Sequence, residues 1–389
     1  MSGIFRLKGA VKNYDWGGTD FLPRLLAIEN NDQQPFAEYW MGTHPLGMGQ
    51  AENEKGGSQA LNKVAGELPF LFKSLDVKKM LSIQVHPSKE DAAVEFEREN
   101  AAGIPLDAPN RNYKDANHKP EMAIALSDFW LLHGFKPAEE LSYTLLNVVE
   151  LRELLPVFNE SGYAGLYKHV MEMPQADVNR ILQPLLDNMS NIYDENGPDK
   201  MDEDFWAARA ARTFNQHGNV DRGIFSIYLF NLVYLKKGEG IFQPAGLPHA
   251  YLEGQNVELM ANSDNVLRGG LTSKHIDVAE LLKHVKCEAT YPKVLEGEEV
   301  AAHIKAFATP VDDFALDMIE LGEDDTVTIE AQSPEILLLT EGVVGTSSDE
   351  IVLQEGEPSV FIAAGTGYTL TGFSGKATVF RASLPVNKR

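Results

Sequence analysis

Apolar and polar positions follow two different rhythms along the chain. In the N-terminal third the apolar runs are short and are broken by Gly, Pro and aromatic residues. Leu68–Leu75, Leu81–His86, Met122–Leu126 and Phe129–Phe135 each read as a short strand. Ser88, with Asp91 three positions on, reads as a helix start leading into Ala92–Phe96. After Lys136-Pro137 the spacing becomes helical. Leu145, Leu146, Val149, Leu151, Leu154 and Leu155 form one apolar set, and Val178, Ile181, Leu182, Leu185, Leu186 and Met189 another. A third helix is expected over 202–212. Strand character returns at Phe225–Leu235, and the tail from 311 is almost all short strands and Gly turns. The expected fold is mainly β with an inserted α-helical domain. Residues 1–137 join 223–310 in one β-domain, 138–222 form the insert, and 311–389 form a C-terminal β-domain.

A weak internal repeat sharpens this picture. Gly238-Glu239-Gly240 through His249 resembles Gly356-Glu357-Pro358 through Tyr368. Each copy reads as strand, small-residue turn, strand, the pattern of cupin-type jelly-roll barrels. Where the first copy has His249, the second has Tyr368, which removes the strongest metal ligand. One metal-binding barrel and one metal-free barrel are expected.

Composition narrows the function. The 389 residues carry 34 Lys and Arg against 57 Asp and Glu, for a net charge of −23. Such a balance argues against nucleic acid and against a membrane surface as partners. An anionic substrate must then be met by a local cluster of Lys and Arg. A single cysteine, Cys287, excludes an internal disulfide. No signal peptide and no apolar span long enough for a bilayer are evident, so a soluble cytoplasmic protein is expected. Oligomeric state is left open, and a monomer is compatible with every feature.

Four side chains carry the candidate chemistry. Gln84 and His86 alternate on one predicted strand and so face the same way. Glu121 closes Asn117-His118-Lys119-Pro120-Glu121, and His249 lies in Pro248-His249-Ala250-Tyr251. Two imidazoles, a carboxylate and an amide oxygen suit one divalent ion. Zinc accepts such ligands, and a site without thiolates suggests catalysis.

Several long blocks together resemble the type I phosphomannose isomerases. They are Asn13-Tyr14-Asp15-Trp16-Gly17, Ala37 through Pro45, Leu68 through Lys73, Leu81 through Pro87, Tyr113 through Met122, Pro248 through Tyr251, and Glu258 through Gly270. They occur in the family's order over most of the first 275 residues, whereas the C-terminal part matches only in general character. The resemblance implies one zinc ion per chain, held by Gln84, His86, Glu121 and His249. It implies a catalytic Arg268, and interconversion of mannose 6-phosphate and fructose 6-phosphate through a cis-enediolate.

That chemistry needs positive charge beside the enediolate oxygens, which a metal and the ever-protonated Arg268 can provide. Lys119 and Glu258 lead as candidates for the base, with His118 behind them. Lys73, Ser82, His118 and Tyr251 are the expected substrate contacts, with Lys73, Ser82 and Arg268 the donors to phosphate. His44, His133, His275 and His284 read as structural, Trp16 and Trp40 as core, and Cys287 as a buried apolar group. Two competing functions are an Fe(II) oxygenase using His86, His249 and Glu121, and a sugar-phosphate-binding regulator without turnover.

Overall fold

A computed structural model describes residues 3–53, 56–195, 199–347 and 351–385. Its central element is the 13-residue strand His249–Ala261. The strand is long enough to serve two sets of neighbours. Its first part pairs with Phe129–Phe135 and meets Gln84–Val85, with His249 opposite both His133 and Gln84. Its second part runs between Phe70–Val77 and Glu121–Ala125, with Glu258 opposite Lys73 and Ala123. The register shifts between Tyr251 and Glu253. At Gly254 (φ +119°) a Cβ would stand 2.4 Å from the Asp128 carbonyl oxygen, so only glycine lets the strand bend there.

Strand alternation sets the two faces of this sheet. Leu75, Val77, Ala123, Ala125, Leu131, Ile241 and Tyr251 fill one apolar cluster inside the barrel. Lys73 and Glu121 share the inner faces of the same strands, so that face turns polar where they stand. The opposite face, including Phe70, Phe72, Met122, Ile124, Val257 and Leu259, packs against Leu316, Met318, Ile336, Leu338, Phe361 and Phe380 of the C-terminal region.

The C-terminal region forms a sheet of Ala315–Leu321, Ala377–Ser383, Glu335–Glu341 and Ser359–Ile362. A smaller sheet contains Thr326–Glu330, Gly367–Gly372, Val344–Thr346 and Val352–Leu353. Strand Ile4–Lys8 pairs with Ser359–Ile362 and then with Gln50–Glu52, so backbone pairing ties the first and third expected units together. Both repeat copies form strand, turn, strand: Gly240–Gln243 then His249–Ala261, and Ser359–Ile362 then Gly367–Gly372. Tyr368 donates to Glu335 at 2.6 Å, and Arg381 pairs with Asp317 at 2.9 Å beside them. Asp317 and Glu335 hold the Arg381 guanidinium above its ordinary range against the opposing effect of burial. The second barrel thus carries its own internal cation.

The helical insert is present. Gln175–Glu195 buries Val178, Ile181, Leu182, Leu185, Leu186 and Met189, as its spacing predicts. Glu203–Phe214 starts at Asp202, whose side chain accepts from Asp204 N. Ser88 likewise accepts from Asp91 N and starts Lys89–Ala101. Three expectations fail locally. Leu146 and Val149 are exposed, because Ala138–Asn147 ends there and the tighter turn Val149–Leu154 breaks the 3.6-residue repeat. Only Gln84–Val85 of the expected strand Leu81–His86 pairs. Residues expected to open a strand at Phe225 instead form the helix Gly223–Leu229 before strand Phe230–Leu235. That helix is buried on all sides, so its sequence carries no amphipathic period to distinguish it from a strand.

A candidate metal centre and active site

Three ligand candidates from separate parts of the chain converge. Sheet register places His249 opposite Gln84, and Met260 opposite Glu121. His249 Nε2 lies 3.2 Å from Glu121 Oε2, and His86 Nε2 lies 3.4 Å from Glu121 Oε1. All three side chains are buried. The tautomers follow from the other ring nitrogens. His86 Nδ1 is 2.8 Å from the Asn265 carbonyl oxygen, and His249 Nδ1 is 3.0 Å from the Leu247 carbonyl oxygen. A carbonyl only accepts, so each neutral ring carries its proton on Nδ1 and turns a bare Nε2 lone pair toward the carboxylate.

The electrostatics support this assignment. Burial pushes His86 down to about 4, so its ring is neutral near pH 7. Burial raises the Glu121 carboxyl, but the Lys119 ammonium leads the opposing effects, and the group lies well below the usual carboxylate range. Lys119 Nζ sits 3.0 Å from Glu121 Oε1. The result is a set of acceptors facing acceptors, with His86 Nε2 buried and lacking a hydrogen-bond partner. Unpaired buried acceptors are costly, and a divalent cation between them relieves the cost. The donor set fits zinc: two neutral imidazoles and a carboxylate, with the Gln84 amide on the adjoining rung.

A second charged group stands beside it. Lys73 Nζ is 3.0 Å from Glu258 Oε1 and 3.7 Å from Glu38 Oε2, and these carboxylates raise the lysine's pKa despite burial. Burial raises Glu258 in turn, with Lys73 opposing. A cavity of about 60 Å³ is lined by Glu38, Lys73, Gln84, Lys119, Glu121, His249, Tyr251 and Glu258. It has room for an ion and a few waters.

Arg268 pairs directly with Gln84 across the two-stranded junction Gln84–Val85 and Leu267–Arg268, which puts its side chain on the same side as a ligand candidate. Burial pushes its pKa down and no carboxylate opposes the shift. Arg268 in turn contributes to lowering Lys274 and Lys114, after the larger effect of burial on each. These three cations form a local positive zone in a chain of net charge −23.

The remaining expected residues are distributed around this centre. Tyr251 is buried in the cavity wall, and burial together with Glu258 raises its hydroxyl well above the ordinary range. Ser82 is half-buried just before the Gln84 strand. His118 Nε2 is instead 2.9 Å from Asp313 Oδ2, toward the C-terminal region. Sequence reasoning missed Glu38, Lys274 and Gln243. Gln243 lies opposite Glu121 and is fully buried, with neither amide atom hydrogen-bonded. Glu38 could have been suspected from the Ala37 through Pro45 block. Nothing in the sequence signals Lys274. His44, read as structural, pairs with Asp264 at 3.1 Å, and Trp40 packs edge-on against its ring.

Comparison with known proteins agrees with this geometry. A family model described as phosphomannose isomerase type I, catalytic domain, matches residues 4–138. A mannose-6-phosphate isomerase of Escherichia coli (strain K12) is 38% identical over 388 residues, covering 92% of this chain and 94% of that protein. The chain belongs to the type I phosphomannose isomerase family. The resemblance extends beyond bacteria: mannose-6-phosphate isomerase 2 of Arabidopsis thaliana is 31% identical and covers 98% of the chain. The solved mannose 6-phosphate isomerase of Salmonella typhimurium, bound to fructose 6-phosphate and zinc, has a TM-score of 0.86 at 34% identity. It covers 99% of this chain and is itself covered fully. A phosphomannose isomerase fold therefore extends through the C-terminal barrel, where sequence motifs are weak. Among the described residues no helix is long and apolar enough to cross a membrane.

Proposed function

We propose that this protein is a zinc-dependent aldose–ketose isomerase that interconverts mannose 6-phosphate and fructose 6-phosphate. The observation that carries the reading is the pair of bare imidazole nitrogens turned on one buried carboxylate, His86 and His249 on Glu121. Gln84 completes the proposed ligand set from the rung it shares with His249. A zinc ion held there supplies Lewis-acid charge next to the carbonyl and enediolate oxygens.

The chain's own residues do the rest. Glu258 takes the proton from C2 of mannose 6-phosphate and delivers it to C1. Its raised pKa suits a group that must both accept and return a proton. Lys73, 3.0 Å away, orients that carboxylate. Arg268 stabilises the negative charge that develops on the enediolate. Lys119 holds Glu121 in its ionised form and is the alternative base. Lys274 and Lys114 add to the positive zone that attracts the phosphate, with Ser82 and Tyr251 as further substrate contacts. His118, expected as a substrate contact, is engaged by Asp313 instead.

The reading places the enzyme in the cytoplasm, acting on a diffusible sugar phosphate. Purified protein should convert mannose 6-phosphate to fructose 6-phosphate in a coupled assay, and run the reverse reaction. Absence of turnover in both directions from zinc-loaded protein would overturn the proposal.

A further inference from the structure

The helical insert meets the segment that follows Arg268. Asp221 stands there, two residues before the helix Gly223–Leu229 brings the chain back into the barrel. Its Oδ1 accepts from Gly223 N at 2.7 Å and from Leu271 N at 2.9 Å, and its Oδ2 accepts from Thr272 N at 3.4 Å. One carboxylate therefore joins the end of the insert to the segment carrying Arg268.

That segment is under strain and tightly enclosed. Leu271 is buried with φ +54°, a left-handed conformation that a branched residue keeps only when its surroundings impose it. A Cβ on Gly270 would lie 2.4 Å from Gly223 Cα, and one on Gly269 would lie 2.7 Å from the Tyr167 hydroxyl. Tyr167 belongs to the insert, and Gly223 is the residue that immediately follows it. On the other side, Ile83 N donates to Gly270 O at 3.0 Å, and Gly269 N donates to Ile83 O at 2.9 Å. Arg268 is thus carried on a strip held between the Gln84 strand and the insert, and Asp221 fixes the outer edge of that strip.

We propose that Asp221 is a positioning residue, holding the segment 267–272 so that Arg268 is presented to the substrate. Presentation of Arg268 is then a contribution of the insert to catalysis, distinct from shielding the site. This inference rests on the catalytic reading of Arg268.

The test is a double-mutant cycle on the full chain. Asp221→Ala and Asp221→Asn are each made with Arg268 intact and with Arg268→Ala, and kcat, KM and zinc content are measured on all of them. A displacement on the order of 1 Å can cost about 10²-fold in rate. Asp221→Ala should therefore lower kcat by about 10-fold or more, with KM changed less and zinc content full. Asp221→Asn keeps the Oδ1 acceptor but presents an N–H to Thr272 N, so its loss should be smaller. In the Arg268→Ala background neither change should lower kcat further, because the group being positioned is gone. A loss that multiplies through both backgrounds marks a merely structural residue and overturns the proposal, as does an unchanged kcat in Asp221→Ala. If Asp221→Ala does not fold, the Asp221→Asn cycle decides by the same criterion. If Arg268→Ala itself keeps full kcat, the catalytic reading of Arg268 fails and this inference falls with it. If Arg268→Ala is slow while both Asp221 variants keep full rate, only the inference falls.

Discussion

His249 Nε2 stands 3.2 Å from Glu121 Oε2, and neither atom has a proton to offer the other. The imidazole proton is committed to the Leu247 carbonyl on the far side of the ring, and the Lys119 ammonium, 3.0 Å from Oε1, favours the ionised carboxylate. Such a contact is repulsive until a cation enters it. His249→Ala should therefore lose zinc and activity together, as read by elemental analysis and turnover on one sample. Full metal content in that variant would remove His249 from the ligand set.

Arg268 should act on the transition state more than on the ground state. Replacing it with Ala should lower kcat by about 10²-fold or more while zinc content stays normal. Arg268→Lys should restore only part of the rate, since an ammonium lacks the guanidinium fork. A raised KM with unchanged kcat would reduce Arg268 to a phosphate grip.

Glu258 is the group whose environment suits proton transfer. Glu258→Gln should lower kcat by about 10²- to 10⁴-fold with zinc retained. Steady-state kinetics of Glu258→Gln beside Lys119→Met identify the base. If the lysine variant shows the deeper loss in kcat at full zinc content, the base assignment passes to Lys119.

The C-terminal barrel should bind no metal, because Arg381 already supplies a cation to Asp317 and Glu335. Removing one partner of a buried ion pair costs about 3–5 kcal/mol. Arg381→Met should lower the thermal midpoint clearly while kcat per folded molecule and zinc per chain stay the same. A second metal found in that barrel by anomalous scattering would contradict this.

Acid should weaken the contact between the insert and the strand His249–Ala261. Burial raises Glu253, but Lys200 and Arg209 outweigh it and hold its pKa below the ordinary value. A depressed carboxylate adds stability that is complete above its unfolded pKa, about 4.3, and is lost as pH falls through the folded value. Glu253→Gln should flatten the acid limb of a stability–pH profile and leave the neutral region nearly parallel to the parent. A parallel acid limb would show that this pair does not couple the insert to the strand His249–Ala261.

The blocks that carry His86, Glu121 and His249 could be picked out in the sequence because each is short. Ser88 needed only a capping pattern to be read as a helix start. The convergence of His86, Glu121 and His249 on one point depended on sheet register, which no local pattern contains. Glu38 was missed because its role exists only through Lys73, a partner on the neighbouring strand. Asp221 gave no local signal of its link to the Arg268 segment either: the Leu271 N–H it accepts from lies 50 residues away. The helix Gly223–Leu229 was misread because complete burial erases the periodicity that marks a helix.

The central claim, a zinc-dependent isomerase, is tested most directly by titration. Purified protein is stripped with a chelator, zinc is returned in steps, and mannose 6-phosphate turnover is followed with bound metal in the same samples. Turnover should vanish in the stripped protein, rise in proportion to bound zinc and level off at one ion per chain. Full turnover in metal-free protein, or none at full zinc occupancy, would contradict it.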